Sequence, residues 1–569
     1  MALTAALILG AAAFPALGKP SGATVPAVDQ AETFEGLIRP DPAAQAAAVG
    51  VPGAVLADLN GNKLMDYLEE VLAAAKDSDK IPVIVMLNKP VDDSLLNGIM
   101  GKLGRFAPKF VYDAAFSGFA ADLTKAQIEL LKLFPELVRV EYDLPVYASL
   151  GTASSSFGVT KARTDFGVTG SKDGYLTTYS KNDIVIAVVD TGIDATHVDL
   201  DGGKVIGWKD FVNSRTTPYD DNGHGTHCAS IAAGSGDGNA TYRGVAYGAA
   251  LVGVKVLDSS GSGSMSTVDA GINWCISNKS TYNIRVISLS LGTSGSSDGT
   301  DSTSVAVNNA VANGIVCCVA AGNSGPALYT IGSPGAAADA ITVGAMADTG
   351  EKGFSLASFS SRGPTKDGRI KPDICAPGVN ITAAKANSTN QYITYSGTSM
   401  ATPFTAGTAA LMLAANPNLT PAQVKAIITG TAEGWGPTGQ DVDYGYGRLQ
   451  AYEAIEQAGG YTGTGPTVPT HGYNTASLTG AGDYDVWTVN VTSTAYPLAV
   501  TLIMPNWSST TTPDFDLYVY NPSGTLVGSS EGTKRQETVG FTPTVTGTYT
   551  IKVSSYSGSG TYFFDVSYK

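Results

Sequence analysis

Apolar positions change their spacing three times along the chain, and each change predicts a different kind of element. Ile81-Pro-Val-Ile-Val-Met-Leu87 is a short apolar run with strand character. Thr124-Lys-Ala-Gln127 has capping-box spacing, in which a Thr hydroxyl and a Gln side chain each satisfy an otherwise free backbone N–H, so a helix is expected from Ile128 to Phe134. Val138–Tyr142 then reads as a returning strand. From about residue 150 to 458, near-continuous apolar runs (183–189, 251–257, 286–291 and 314–320) alternate with helical stretches. That alternation predicts a parallel sheet buried on both faces, with reactive groups at the C-terminal strand ends and adjoining helix N-termini. Beyond the Gly-, Thr- and Pro-rich segment 459–472 the period becomes two, at Trp487, Val489 and Val491, at Leu517 and Val519, and at Tyr549, Ile551 and Val553. Such alternation with turns between segments predicts an antiparallel β-sandwich.

The expected organisation is therefore a leader over 1–18, an extension over 19–78, a small α+β unit over 79–149, an α/β domain over 150–458, a linker over 459–472 and a β-sandwich over 473–569. A chain of 569 residues is long enough for several such units. Residues 1–18 are apolar and end in small residues, the pattern of a signal peptide, although no basic residue precedes them. Secretion is the expectation, and no later stretch approaches the ~18 apolar residues of a membrane span. A net charge of -15 argues against a nucleic-acid partner, whose phosphates need Lys and Arg. Five cysteines form no disulfide framework and at most two bridges, and the lack of paired CxxC spacings argues against a zinc–thiolate site.

Carboxylates suggest calcium in two places. Asp58, Asn60, Asn62, Asp66 and Glu69 fall at positions 1, 3, 5, 9 and 12 of an EF-hand-like loop, with Lys63 where a glycine normally makes the sharp turn. Asp483 with Asp485, and Asp514 with Asp516, sit at expected strand ends of the sandwich, where clustered carboxylates can ligate calcium.

Three segments carry the chemistry: Val189-Asp190-Thr191-Gly192, Asn222-Gly223-His224-Gly225-Thr226-His227, and Gly397-Thr398-Ser399-Met400-Ala401-Thr402-Pro403. Alone, an Asp at a strand end is a loop residue or cap, and a Ser before an apolar helix is an N-cap. Together they supply a nucleophile, a base and a group to orient the base, as amide hydrolysis near neutral pH requires. These segments, in the order Asp, His, Ser, resemble the three signatures of the subtilisin family; α/β-hydrolases and chymotrypsin-like enzymes order them differently. The resemblance implies a serine endopeptidase with a subtilisin-like parallel sheet flanked by helices. It assigns Ser399 as nucleophile, His224 as general base and Asp190 as its orienting carboxylate. Ala320-Ala321-Gly322-Asn323 resembles the oxyanion loop, so Asn323 would share the developing charge with the Ser399 N–H. Ser290, Leu291 and Gly292, opposite Ala320, Ala321 and Gly322, resemble the edge that pairs with an extended peptide substrate.

Residues 79–148 resemble the family's inhibitory propeptide, which implies a zymogen whose own propeptide acts as intramolecular chaperone and inhibitor, cleaved near 148–151. The C-terminal sandwich is similar to the pre-peptidase C-terminal type, and structural Ca2+, a monomer and protein or peptide substrates complete the expectation. A noncatalytic secreted adhesin is the main rival, and a serine esterase the second. The complete set of Asp190, His224, Asn323 and Ser399 speaks against the first, and the peptide-pairing edge with the propeptide against the second.

Overall fold

The computed structural model describes residues 62–64, 66–76, 79–112, 117–142, 150–507 and 513–569. The chain divides into two compact units, one spanning Gly22–Tyr147 and the other containing Ala148–Lys569. The expected leader, Asp58, Asn60 and the processing positions 148 and 149 lie outside the described residues.

In the first unit, strands β1 (Ile81–Leu87), β2 (Pro108–Tyr112), β3 (Gly118–Leu123) and β4 (Leu137–Tyr142) form an antiparallel sheet in the order β2-β3-β1-β4. Val83 and Val85, two residues apart and so on one face, join Phe119, Ala121, Ile128, Leu131 and Val140 in its core. Both arms of the Thr124–Gln127 capping box are present, and the helix runs Lys125–Leu131, starting and ending three residues before the predicted span. The cap fixes the start. Pro135 disfavours helical backbone at Phe134, and tighter bonds from Leu133 N to Leu130 O and Phe134 N to Leu131 O close the end.

The second unit contains seven parallel strands: β5 (Val185–Asp190), β6 (Val205–Asp210), β7 (Ala250–Lys255), β8 (Ile284–Leu289), β9 (Val316–Ala320), β10 (Ile341–Met346) and β11 (Ile374–Pro377). Their order is β11-β10-β9-β8-β5-β7-β6. The chain moves to one side of β5 and then returns to the other, so β5 marks the switch point where crevices open at carboxyl ends of strands. Every residue of β5, β7 and β9 is buried, as the continuous apolar runs predict, and so is every residue of β10, which lies outside those runs. Cys317 and Cys318 point into the clusters on opposite faces of the sheet. All five cysteines are buried and free, so neither of the two bridges that five thiols allow is formed. A hairpin, β12 (Ile381–Ala384) with β13 (Tyr392–Tyr395), precedes the long helix Thr398–Ala415.

The sandwich has two antiparallel four-stranded sheets. One comprises β14 (Thr470–Leu478), β16 (Leu498–Ile503), β19 (Gln536–Phe541) and β21 (Gly560–Tyr568), in the order β14-β21-β16-β19. The other comprises β15 (Tyr484–Val491), β17 (Asp514–Tyr520), β18 (Leu526–Ser530) and β20 (Gly547–Ser557), in the order β15-β20-β17-β18. The segment read as a linker is pinned: Tyr461 stacks on Phe166 with centroids 4.7 Å apart, and β14 begins at Thr470. Ile503 and Phe563 of the sandwich belong to the same apolar cluster as Phe354, Trp435 and Tyr444, so the sandwich and the α/β layer share a core. No helix among the described residues is long and apolar enough to cross a membrane.

Candidate active site

Asp190 ends β5, and His224 opens the helix His224–Ala233. Gly223 caps that helix at φ 108°, a left-handed conformation costly for other residues. A Cβ on Gly225 would lie 2.2 Å from the Gly192 carbonyl oxygen, so only glycine lets the helix approach the strand end this closely. Asp220, buried and four residues before His224, accepts from Thr191 Oγ1 at 2.9 Å, Gly223 N at 2.8 Å and Thr226 N at 2.9 Å. It ties the Asp190 strand end to the His224 helix. Buried Lys255 does similar work from β7, donating to Thr191 O, Asp221 Oδ1 and Leu257 O at 2.5, 2.6 and 2.8 Å. The sequence reading missed both residues; their only local signal is an Asp inside a glycine-rich turn and a Lys ending an apolar strand.

The result is a 2.8 Å contact between His224 Nδ1 and Asp190 Oδ1, with Thr191 N donating to the same oxygen at 2.7 Å. With Nδ1 engaged, the other ring nitrogen is left for substrate chemistry. Burial works against a charged imidazole, but the Asp190 carboxylate, with Cys228, outweighs it and holds His224 well above the usual histidine range. His227 is different: its Nε2 lies 3.1 and 3.0 Å from the Ile381 and Ile393 carbonyls, and burial, with His224 nearby, pulls it down to about 3. It is a neutral brace for the β12–β13 hairpin.

Ser399 lies in the first turn of Thr398–Ala415. Pro403, four residues on, has no N–H, so the Ser399 carbonyl loses its helical partner. Ser290 Oγ donates to that carbonyl at 2.8 Å and Cys228 Sγ at 3.4 Å, while Ser399 Oγ donates to Ser290 O at 3.2 Å. His224 and Ser399 share no direct hydrogen bond; such bonds are commonly long before substrate binds. Asn323 Oδ1 accepts from Thr398 N at 2.9 Å and Thr398 Oγ1 at 3.1 Å. Its carboxamide is thereby oriented with the Nδ2 donors left for another acceptor.

His224, Ser399, Asn323, Ser290, Leu291, Gly292, Ala320, Ala321 and Gly322 all line one cleft of about 670 Å3. Ser260–Ser264 and Gly332–Pro334 also line it and were not legible as site residues. Ser333 O accepts from Thr293 N at 2.7 Å, which ties Gly332–Pro334 to the residue that follows the Ser290–Gly292 edge.

The expected calcium ligands divide by setting. Asn62 Nδ2 lies 2.5 Å from Glu69 Oε1, and Lys63 adopts φ 72°, the left-handed turn that the sixth loop position demands. Asp66 begins a helix. In the sandwich, Asp483 accepts from Thr479 N at 2.7 Å, and Asp485 accepts the Tyr562 hydroxyl at 2.9 Å. Asp514 and Asp516 lie at the start of β17. Burial, then the like charges of Glu531, Asp514 and Glu537, push the Asp516 carboxyl up to about 7.

Residues 181–447 match the Subtilase family, residues 97–149 Peptidase inhibitor I9, and residues 483–555 the Bacterial pre-peptidase C-terminal domain. Serine protease AprX of Bacillus subtilis is 44% identical over 304 residues, covering 49% of this chain and 67% of that protein. Subtilisin E of the same organism is 36% identical over 361 residues, covering 63% and 85%. The solved structure named Sphericase covers 53% of this chain and 99% of its own at 33% identity, with a TM-score of 0.43. Fold, site and relatives together define a serine endopeptidase. The chain belongs to the subtilase family, with an I9-type propeptide before its catalytic domain and a pre-peptidase C-terminal domain after it.

Proposed function

We propose that this is a secreted endopeptidase, made as a precursor, that cleaves proteins through Asp190, His224 and Ser399. The observation that carries the reading is the Asp190–His224 pair at 2.8 Å, opening onto the cleft that Ser399 and Asn323 also line. Ser399 Oγ attacks the scissile carbonyl carbon while its proton passes to His224 Nε2. The tetrahedral oxyanion takes hydrogen bonds from Asn323 Nδ2 and the Ser399 N–H, at the positive end of the Thr398–Ala415 helix. The C–N bond then breaks, His224 returns the proton to the amine, and water hydrolyses the acyl-enzyme by the same steps in reverse. Asp190 holds the imidazole tautomer throughout. The substrate backbone pairs with Ser290–Gly292 and Ala320–Gly322, so selectivity among side chains is broad.

The propeptide blocks the cleft and assists folding until the chain cleaves itself near 148–151. Calcium is structural: Asn62, Glu69 and the left-handed Lys63 suit an EF-hand-like loop with Asp58, Asn60 and Asp66, and a cation would relieve the repulsion around Asp514 and Asp516. Asp483 and Asp485, already serving a turn and a tyrosine, suit a ligand role less well.

Intact mass and casein hydrolysis, followed over time for the precursor and its Ser399→Ala variant in calcium buffer, test the reading. The wild type should split near residue 150 and then degrade casein, while the variant does neither. If both fold and remain intact and inert, the chain is a binding protein on a subtilisin scaffold.

A further inference from the structure

The loop bearing Asn323 is braced along its length by the segment 359–363. Ser361 N donates to Gly322 O at 2.9 Å, Ser324 N to Ser361 Oγ at 3.1 Å, and Gly325 N to Phe359 O at 2.8 Å. Thr330 N donates to Arg362 O at 2.9 Å, and Arg362 N to Thr330 Oγ1 at 2.8 Å. A Cβ on Gly325 would fall 2.0 Å from Ser360 O, so loop and brace cannot separate or slide without repacking.

The brace is in turn held from the sandwich. Arg362 is fully buried, and its Nη2 donates to Gln536 Oε1 at 2.6 Å and Ala357 O at 3.1 Å. Gln536 Nε2 donates to Leu356 O at 2.7 Å. Arg535, also buried, clasps both Asp443 carboxylate oxygens, with Nη2 to Oδ2 at 2.9 Å, and its Nη1 reaches Pro326 O at 3.4 Å, three residues beyond Asn323. Asp443 Oδ1 also lies 3.4 Å from Arg362 Nε. Burial alone would raise the Asp443 carboxyl, but the two guanidinium groups lower it, in keeping with a charged pair closed off from water. A buried guanidinium that loses its acceptor is costly, so these bonds fix Arg362 in one place.

We propose that the C-terminal sandwich is part of the catalytic apparatus, with Arg535 and Gln536 acting as positioning residues that hold the Asn323 loop in its transition-state geometry. The proposal rests on the oxyanion role assigned to Asn323. A displacement of about 1 Å in such a donor costs on the order of a hundredfold in rate, and the Asn323 side-chain amide is engaged as the oxyanion forms rather than by the substrate backbone along the peptide edge.

The experiment compares the full-length chain with Gln536→Leu, Gln536→Glu and the milder Arg535→Lys, each also combined with Asn323→Ala. Active sites are titrated with a fluorophosphonate, so that misfolded or unprocessed molecules drop out of the rate, and kcat and KM are measured on a peptide p-nitroanilide. Gln536→Leu and Arg535→Lys should lower kcat per titrated site by about tenfold to a hundredfold with KM nearly unchanged. Gln536→Glu, which keeps an acceptor for Arg362 but loses the donor to Leu356 O, should recover part of the loss. In the Asn323→Ala background the same substitutions should add little, because the group they position is gone. Unchanged kcat per titrated site with a lowered melting temperature would overturn the proposal and leave the sandwich a purely stabilising role, and so would full additivity with Asn323→Ala. If Asn323→Ala alone left kcat intact, the oxyanion assignment would fail instead. Should Gln536→Leu give no titratable sites, Arg535→Lys decides by the same criteria.

Discussion

The parallel sheet and the sandwich solve the burial of polar groups in opposite ways. In the parallel sheet the strand interiors are largely apolar, and charge collects at the carboxyl ends, where Asp190, Asp210 and Lys255 terminate β5, β6 and β7. In the sandwich, charge is spread over separate places: Arg535 and Asp565 are buried against the α/β layer, while Asp516 and Glu537 crowd together elsewhere. A reactive centre needs convergence, and the switch point at β5 provides it. The sandwich faces provide anchorage instead, and the carboxylates around Asp516 are where a cation is proposed. Substitutions at the convergent end should therefore affect turnover most, and those in the Asp516 and Glu537 cluster should affect only stability.

The largest effect after Ser399→Ala is expected for Asp190→Asn, which leaves shape intact but presents the wrong imidazole tautomer, with a loss of about 10⁴ in kcat. The pH profile checks the cause. His224 acts as a base only when neutral, so its raised value places the rising limb of kcat/KM on the alkaline side of the ordinary histidine range. Removing the Asp190 charge leaves burial to dominate, and the limb should move to lower pH. A limb that stays in place would mean that another group sets it.

Asn323→Ala should follow, with a loss of about 10²–10³ in kcat and KM little changed, read by steady-state kinetics on titrated enzyme; this is the size of effect seen when a subtilisin loses its oxyanion-hole asparagine. The smallest effect on turnover belongs to Asp516→Asn. Its folded-state carboxyl is raised to about 7, above the value of an unfolded aspartate. The folded state then holds a proton that the unfolded state has released, so calcium-free stability should fall as pH rises from about 4 to 7. Calorimetric melts across that range should show the slope in the wild type, a flatter slope in Asp516→Asn, and recovery at neutral pH when calcium is added to the wild type alone.

The proposed constellation could be nominated from sequence because its residues sit in short contiguous motifs whose chemistry is distinctive. What positions them could not. Asp220 and Lys255 act through three-dimensional convergence, and Thr398 orients Asn323 from 75 positions away. In the sandwich, alternation revealed β15, whose outer positions meet solvent, but not β16. Leu498-Ala-Val-Thr-Leu-Ile503 is buried at every position because one face meets the opposite sheet and the other the α/β layer, so no period of two survives. Packing against the α/β layer likewise holds the segment that reads as a linker, where Tyr461 stacks on Phe166.

That shared core has a consequence for an enzyme that lives among its own active copies. A cut within 462–469 would sever the chain without severing the molecule, since Ile503 and Phe563 remain embedded beside Trp435, and Arg535 remains clasped to Asp443. Autolysis there should yield a two-chain enzyme that travels as one particle through gel filtration and parts only in denaturant.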